Sequence, residues 1–145
     1  MTIVVDASIA LKWVLQETGS EAAEKLLESD LAAPSLWLLE AGNALWRRTV
    51  REELTQAEAA ERLAALTKAP VASVPLEQDL PEAMRLALEL GHPVYDCLYL
   101  ALAKRLGTYV VTADKRFGQA VADHGTHIAH IRVLTPVTRG PGPQL

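Results

Sequence analysis

Two short stretches constrain the fold of this chain more than anything else in its sequence. Val4-Val5-Asp6-Ala7-Ser8 and Val110-Val111-Thr112-Ala113-Asp114 are each a β-branched apolar run that delivers a carboxylate and a hydroxyl two positions apart. Each then opens into residues spaced like a helix. A short β-branched run leading into a helix reads as a buried strand of an α/β sheet. Open α/β sheets place their ligands at the carboxyl ends of strands. Two acid-bearing strand ends therefore predict one acidic site built from both, with the remaining sequence as its scaffold.

The chain has 145 residues, half of them hydrophobic, which suits one domain with a sizeable core. Ile3 to Val5 reads as a strand. Ile9, Trp13 and Leu15 begin a helical pattern that breaks near Thr18-Gly19-Ser20. Ser20 suits the N-cap of a second helix carrying Ala23, Leu26 and Leu27. Leu31 to Pro34 is a short extended piece. A strong helix covers Ser35 to Glu53, with Leu39, Gly42, Trp46 and Val50 along one side and Glu40, Asn43, Arg47 and Arg51 along another. Thr55 with Glu58 is a capping-box pattern for a helix ending near Lys68. Val71 to Val74 is a strand. Asp79 or Leu80 to Leu90 is a helix with Pro81 in its first turn and Gly91 at its stop. After His92-Pro93-Val94-Tyr95-Asp96, the run Cys97 to Ala103 is apolar nearly all round and predicts a buried helix, ended by Gly107. Tyr109 to Thr112 is a strand, Lys115 to about Asp123 a short helix, and Ile128 to Leu134 a last strand. Alternating strands and helices predict a three-layer α/β/α domain over residues 1–135 with a mostly parallel central sheet. The Pro/Gly-rich remainder, 136–145, predicts a disordered tail.

Four acids stand out by position: Asp6, Glu40, Asp96 and Asp114. A lone buried carboxylate takes up a proton, and several together repel one another. A divalent cation removes both penalties, and hard oxygen ligands suit Mg²⁺ or Mn²⁺. Simpler roles exist for each acid. Asp6 and Asp114 are placed to cap the helices that follow them, and Asp96 in a first turn favours the helix dipole. Glu40 suits a solvated face, paired with Arg47 or Asn43. Capping explains least at Asp96, which leads the most apolar helix in the chain. Ser8 and Thr112 are the matching hydroxyls, able to support the carboxylates or to bond locally at a helix start. Asn43, one turn after Glu40, can orient a carboxylate or touch substrate. Lys12, Arg47, Lys115 and Arg116 are candidate phosphate contacts, and equally ordinary surface charge.

Other chemistries find less support. The formal net charge is −4, which argues against coating nucleic acid through bulk charge. Cys97 is the only cysteine, so no internal disulfide forms, and a reducing, cytoplasmic setting is expected. No signal peptide or membrane span is expected either, since no apolar run approaches the ~20 residues a span needs. His124, His127 and His130 recur every third residue, but the segment crosses Gly125 and changes from helix to strand, so no single face presents all three to zinc. Cys97 reads as a small core residue. Trp13, Trp37 and Trp46 suit a core or a groove for a partner helix. P-loop and dinucleotide glycine patterns and the G-x-S-x-G elbow are missing from the sequence.

Asp6-Ala7-Ser8 after a first strand, Glu40 with Asn43 on a helix, Tyr95-Asp96 opening Leu98-Tyr99-Leu100-Ala101, and Val111-Thr112-Ala113-Asp114-Lys115-Arg116-Phe117 together resemble the PIN domain. More closely, they resemble the VapC toxins of prokaryotic toxin–antitoxin pairs. The resemblance covers the chain up to the Pro/Gly tail. It implies an endoribonuclease dependent on Mg²⁺ or Mn²⁺, with Asp6, Glu40, Asp96 and Asp114 as the acidic quartet and Thr112 as the site hydroxyl. It further implies a homodimer held inactive by a small antitoxin protein. Two other classes remain. A metal-dependent phosphatase also uses acids at strand ends, but the haloacid-dehalogenase type wants a second Asp where Ser8 stands. A non-catalytic module would use the Trp-bearing helices to hold a peptide, which is compatible with an enzyme that binds an antitoxin.

Overall fold

Five strands lie side by side and parallel in a computed structural model that describes residues 1–135. They are β1 (Thr2–Val5), β2 (Asp30–Pro34), β3 (Val71–Val74), β4 (Val110–Thr112) and β5 (Ile131–Val133), in the order β3-β2-β1-β4-β5. The stretch read as a disordered tail lies outside the described residues. Among the described residues there are seven α-helices: α1 (Ala7–Val14), α2 (Ser20–Lys25), α3 (Trp37–Val50), α4 (Gln56–Thr67), α5 (Leu80–Leu90), α6 (Val94–Arg105) and α7 (Lys115–His124).

The chain starts at the middle of the sheet, runs outward through β2 to β3, then returns through α5 and α6 to lay β4 on the other side of β1. The direction of winding thus reverses between β1 and β4. Their register pairs Val4 with Val110 and Val5 with Val111. The strand ends carrying Asp6 and Thr112 are therefore level.

Period-two side chains explain the layers. Val4 and Val110 join a core with Trp37, Leu86, Phe117 and the run Cys97–Ala103 of α6. Ile3, Val5 and Val111 pack on the opposite face with Ile9 and Ala23, from α1 and α2. Helices thus cover both faces, which is what lets these strands be apolar on both sides. Cys97 and the whole stretch to Ala103 are buried. Trp37 is core, its indole N–H donating to Ser73 Oγ at 3.0 Å, and Trp13 donates to the Ala23 carbonyl at 2.8 Å. Trp46 is different, being 60% exposed on the outer side of α3.

Several boundaries match local chemistry. Thr55 and Glu58 close a reciprocal capping box at α4, and Gly91 ends α5 in the left-handed region at φ 63°. Two expectations are corrected. Ser20 does not cap α2: Gly19, at φ 90°, holds that position. Ser20 is the buried first helical residue, donating to the Leu15 carbonyl and accepting from the Glu17 amide. The last strand is also shorter than its alternation suggests. Ile128–His130 forms a 3₁₀ turn, in which the His130 ring donates to the Thr108 carbonyl, and only Ile131–Val133 pairs with β4.

Candidate active site at the carboxyl ends of β1 and β4

A ligand crevice in an open α/β sheet lies where the winding reverses, at the carboxyl ends of the strands. At that point stands a cavity of about 170 Å³ lined by Asp6, Ala7, Ser8, Leu11, Glu40, Ala44, Arg47, Asp96 and Asp114. All four acids singled out in the sequence meet there, from β1, α3, α6 and β4, and Arg47 is the cation beside them.

The strand-end acids do two jobs at once. Asp6 Oδ1 accepts from the Ile9 amide at 3.2 Å, capping α1, and from Ser8 Oγ at 2.5 Å. Asp114 Oδ1 accepts from the Arg116 and Phe117 amides, capping α7. Capping and cavity lining are thus not alternatives at these positions. The hydroxyls tie the two strand ends together. Ser8 Oγ also accepts from the Ala113 amide at 2.9 Å, and Thr112 Oγ1 accepts from the Asp114 amide at 3.0 Å.

The helix acids behave differently. No side chain caps α6, and the Asp96 carboxylate turns to the ring of His92, whose Nε2 lies 2.7 Å from Oδ2. Glu40 pairs with neither Arg47 nor Asn43. Its Oε1 accepts from the Tyr99 hydroxyl at 2.5 Å. His92 and Tyr99 had no site role in the sequence reading. His92 stands four residues before Asp96, a helical spacing that could have flagged it. The Glu40–Tyr99 contact spans 59 residues and has no local signal.

Electrostatically the cavity is overloaded with negative charge. Burial pushes the Asp6 carboxyl up to about 7, despite opposing bonds from Ser8, Thr112 and the Ile9 amide. Burial likewise raises Glu40 and Asp96, with Asp96 adding repulsion at Glu40 and Asp114 adding it at Asp96. Asp6, Glu40 and Asp96, which burial holds back from ionising, line one cavity with Asp114, and oxygen donors of this kind suit a hard divalent cation. As the side chains stand, no three His, Cys, Asp or Glu among the described residues are grouped to hold one.

The other candidates are spread out. Thr112 is buried behind the acids. Asn43, Lys115 and Arg116 are exposed and do not line the cavity. Lys12 is engaged elsewhere, in an ion pair with Glu17 at 3.1 Å and a bond to the Thr18 carbonyl at 2.6 Å. The histidines part company: His124 and His127 share Glu89, while His130 lies on the Thr108 carbonyl. A larger groove of about 500 Å³ runs between α3 and α4, lined by apolar and uncharged side chains including Leu45, Trp46, Val50 and Leu63. With no titratable group on its walls, it offers a surface for contact rather than catalysis.

The profile of the PIN domain matches residues 3–122, most of the described chain. The chain belongs to the PIN domain family. It is 32% identical to Ribonuclease VapC3 of Pyrobaculum aerophilum over 123 residues, which cover 82% of this chain and 94% of that protein. Its fold matches the crystal structure of PAE2754 from Pyrobaculum aerophilum with a TM-score of 0.68 and 26% identity, over 92% of this chain and 90% of the other. A toxin–antitoxin complex from Klebsiella pneumoniae contains a chain of the same fold, with a TM-score of 0.65 and 14% identity, over 93% and 99% of the two chains. Among the described residues, no helix is long and apolar enough to cross a membrane.

Proposed function

We propose that the protein is a VapC-type endoribonuclease, the toxin of a toxin–antitoxin pair, that hydrolyses RNA phosphodiester bonds with Mg²⁺ or Mn²⁺ held by Asp6, Glu40, Asp96 and Asp114. The observation that carries this reading is the convergence of the four acids on one cavity at the winding reversal. Membership of the PIN family and the ribonuclease name of the Pyrobaculum aerophilum relative support the reaction class. When bound, the cation supplies Lewis-acid stabilisation of the scissile phosphate and lowers the pKa of water at the site.

The chain's own residues have distinct tasks. The four carboxylates bind the cation, and one of them accepts the proton that the attacking water gives up. Ser8 and Thr112 lock the two strand ends, so Asp6 and Asp114 keep their spacing. Arg47, on the cavity wall, orients a phosphate and offsets its charge. Asn43, Lys115 and Arg116, exposed outside the cavity, are further candidate contacts for the RNA.

Antitoxin binding is supported by the toxin–antitoxin complex of the same fold and by the uncharged groove between α3 and α4, with Trp46 exposed on its edge. A homodimer is supported by Leu80, Met84 and Leu88, exposed at four-residue spacing along α5. RNA as substrate, together with a single buried cysteine, fits action in the cytoplasm.

The test is incubation of the purified protein with a panel of structured RNAs, with and without Mn²⁺, beside Asp96→Asn. Cleavage is expected only with the cation, and at least about 100-fold slower in Asp96→Asn. Full activity in excess EDTA, or a wild-type rate for the variant, sinks the assignment. Turnover of a generic phosphomonoester at a comparable rate would favour a phosphatase instead.

A further inference from the structure

The four acids are held in two ways. Asp6 and Asp114 cap the helices behind them, so groups within three residues in the chain hold them, with the Thr112 hydroxyl added at Asp6. Glu40 and Asp96 lie within helices, and each is met by one ring: Tyr99 on Glu40 and His92 on Asp96. Neither ring lines the cavity. Both stand behind the acids they touch.

We propose that Tyr99 and His92 are positioning residues that fix the Glu40 and Asp96 carboxylates for a divalent cation, an inference that rests on the metal-dependent reading above. A carboxylate on a helix swings through several rotamers, and Glu has more than Asp. A hydrogen bond to one oxygen restricts that swing before any cation arrives. Carboxylates that ligate metals are commonly held by such outer partners, whose loss lowers metal affinity by about 10–100-fold.

Both rings are themselves immobile. Tyr99 is fully buried, and its hydroxyl donates to Glu40 Oε1 at 2.5 Å. The His92 ring stacks on buried Phe117, with centroids 5.0 Å apart and planes 15° apart. Its backbone is tied down as well, the amide donating to the Ala87 carbonyl at 3.2 Å just after the Gly91 turn. When Asp96 is ionised, as a cation ligand would be, it only accepts, and the His92 Nε2 facing it donates. Asp96, four residues after His92 and three before Tyr99, lies with them on one side of α6 and its lead-in. One rigid segment thus carries one acid and the partners of both helix acids, and it sets their spacing across the α3–α6 boundary.

Packing alone would also explain a buried phenol and a stacked imidazole, so the test separates fold from metal. Tyr99→Phe removes only a hydroxyl. His92→Ala removes the donor, and His92→Gln keeps a side-chain N–H. Mn²⁺ binding to the full-length protein is titrated by the EPR signal of the free ion, and thermal unfolding is followed in EDTA. Tyr99→Phe and His92→Ala are expected to fold in EDTA and to bind Mn²⁺ about 10-fold more weakly or worse, with His92→Gln recovering part of the loss. Wild-type affinity in both Tyr99→Phe and His92→Ala overturns the positioning role. So does an affinity loss confined to variants already unfolded in EDTA. A wild-type protein that binds no Mn²⁺ overturns instead the metal reading on which the proposal stands.

Discussion

Burial raises the Asp6 carboxyl from its ordinary 3.8 to about 7, and this makes a catalytic candidate a stability liability. Below pH 3.8 the group is protonated in both the folded and the unfolded chain. Between that value and about 7 the folded chain retains a proton that the unfolded chain has lost, so stability falls as pH rises and the loss is complete above about 7. The interval sets a ceiling of roughly 4 kcal/mol at pH 8. Burial moves Glu40 and Asp96 in the same direction. Asp6→Asn should therefore stabilise the metal-free protein at pH 8 by roughly 1–4 kcal/mol, leave it nearly unchanged at pH 4, and abolish cleavage. Urea unfolding at the two pH values checks this; an equal or lower stability at pH 8 contradicts the buried-charge account. Added Mn²⁺ should raise the wild-type melting temperature far more at pH 8 than at pH 5, because protons compete for the same oxygens. Three of the acids were legible because they stand out against their local pattern, Asp6 and Asp114 ending apolar strands and Asp96 leading an apolar helix, while Glu40 showed only as one of several polar residues on a helix face. Of their ring partners, His92 was signalled only by its four-residue spacing from Asp96, and Tyr99 was not signalled at all, because it reaches Glu40 only through the packing of α6 against α3.

Helix α7 shows how an element's packing can reverse its intrinsic preference. Gly118 is buried in mid-helix, where replacing glycine by alanine ordinarily gains about 1 kcal/mol. Here a Cβ would collide with Cγ2 of Val133 on β5. Valine is stiff at χ1 and cannot step aside cheaply. Gly118→Ala is therefore expected to destabilise by roughly 1–3 kcal/mol, and Gly118→Ala with Val133→Ala to recover much of that, as read from denaturant midpoints. A stabilised single variant would mean that β5 yields easily. Elements with chemical punctuation were readable in advance: the Thr55/Glu58 box starts α4 and Gly91 stops α5. Where the signal was tertiary, reading failed or blurred. β2 looked like a short extended piece, yet it lies between β1 and β3, because its Ala32, Ala33 and Pro34 lack the β-branched signal that marks the other strands. Ser20 has the chemistry of a cap, but Gly19 can adopt a positive φ and leaves Ser20 free to face inward.

For the whole molecule, charge opposes the proposed substrate. A net charge of −4 repels RNA at long range, and the cavity adds four carboxylates at the point of attack. Approach must then depend on local cations, and among the residues lining the cavity Arg47 is the one that bears positive charge. Each phosphate contact to a single strand contributes roughly 0.7 to the slope of log affinity against log salt, through release of condensed counterions. Cleavage at subsaturating RNA should accordingly fall with rising salt at constant Mn²⁺. Arg47→Ala should lower kcat/KM and also flatten the plot by roughly 0.7. The two effects separate a phosphate contact from a structural role, since damage to the acid cavity would lower the rate at every salt concentration and leave the slope alone. Lys12→Ala supplies the contrast. Its ammonium is bound to Glu17 and to the Thr18 carbonyl, so the slope should stay as in the wild type. A wild-type slope in Arg47→Ala, or one reduced only in Lys12→Ala, would move the RNA path away from the cavity wall and toward α1.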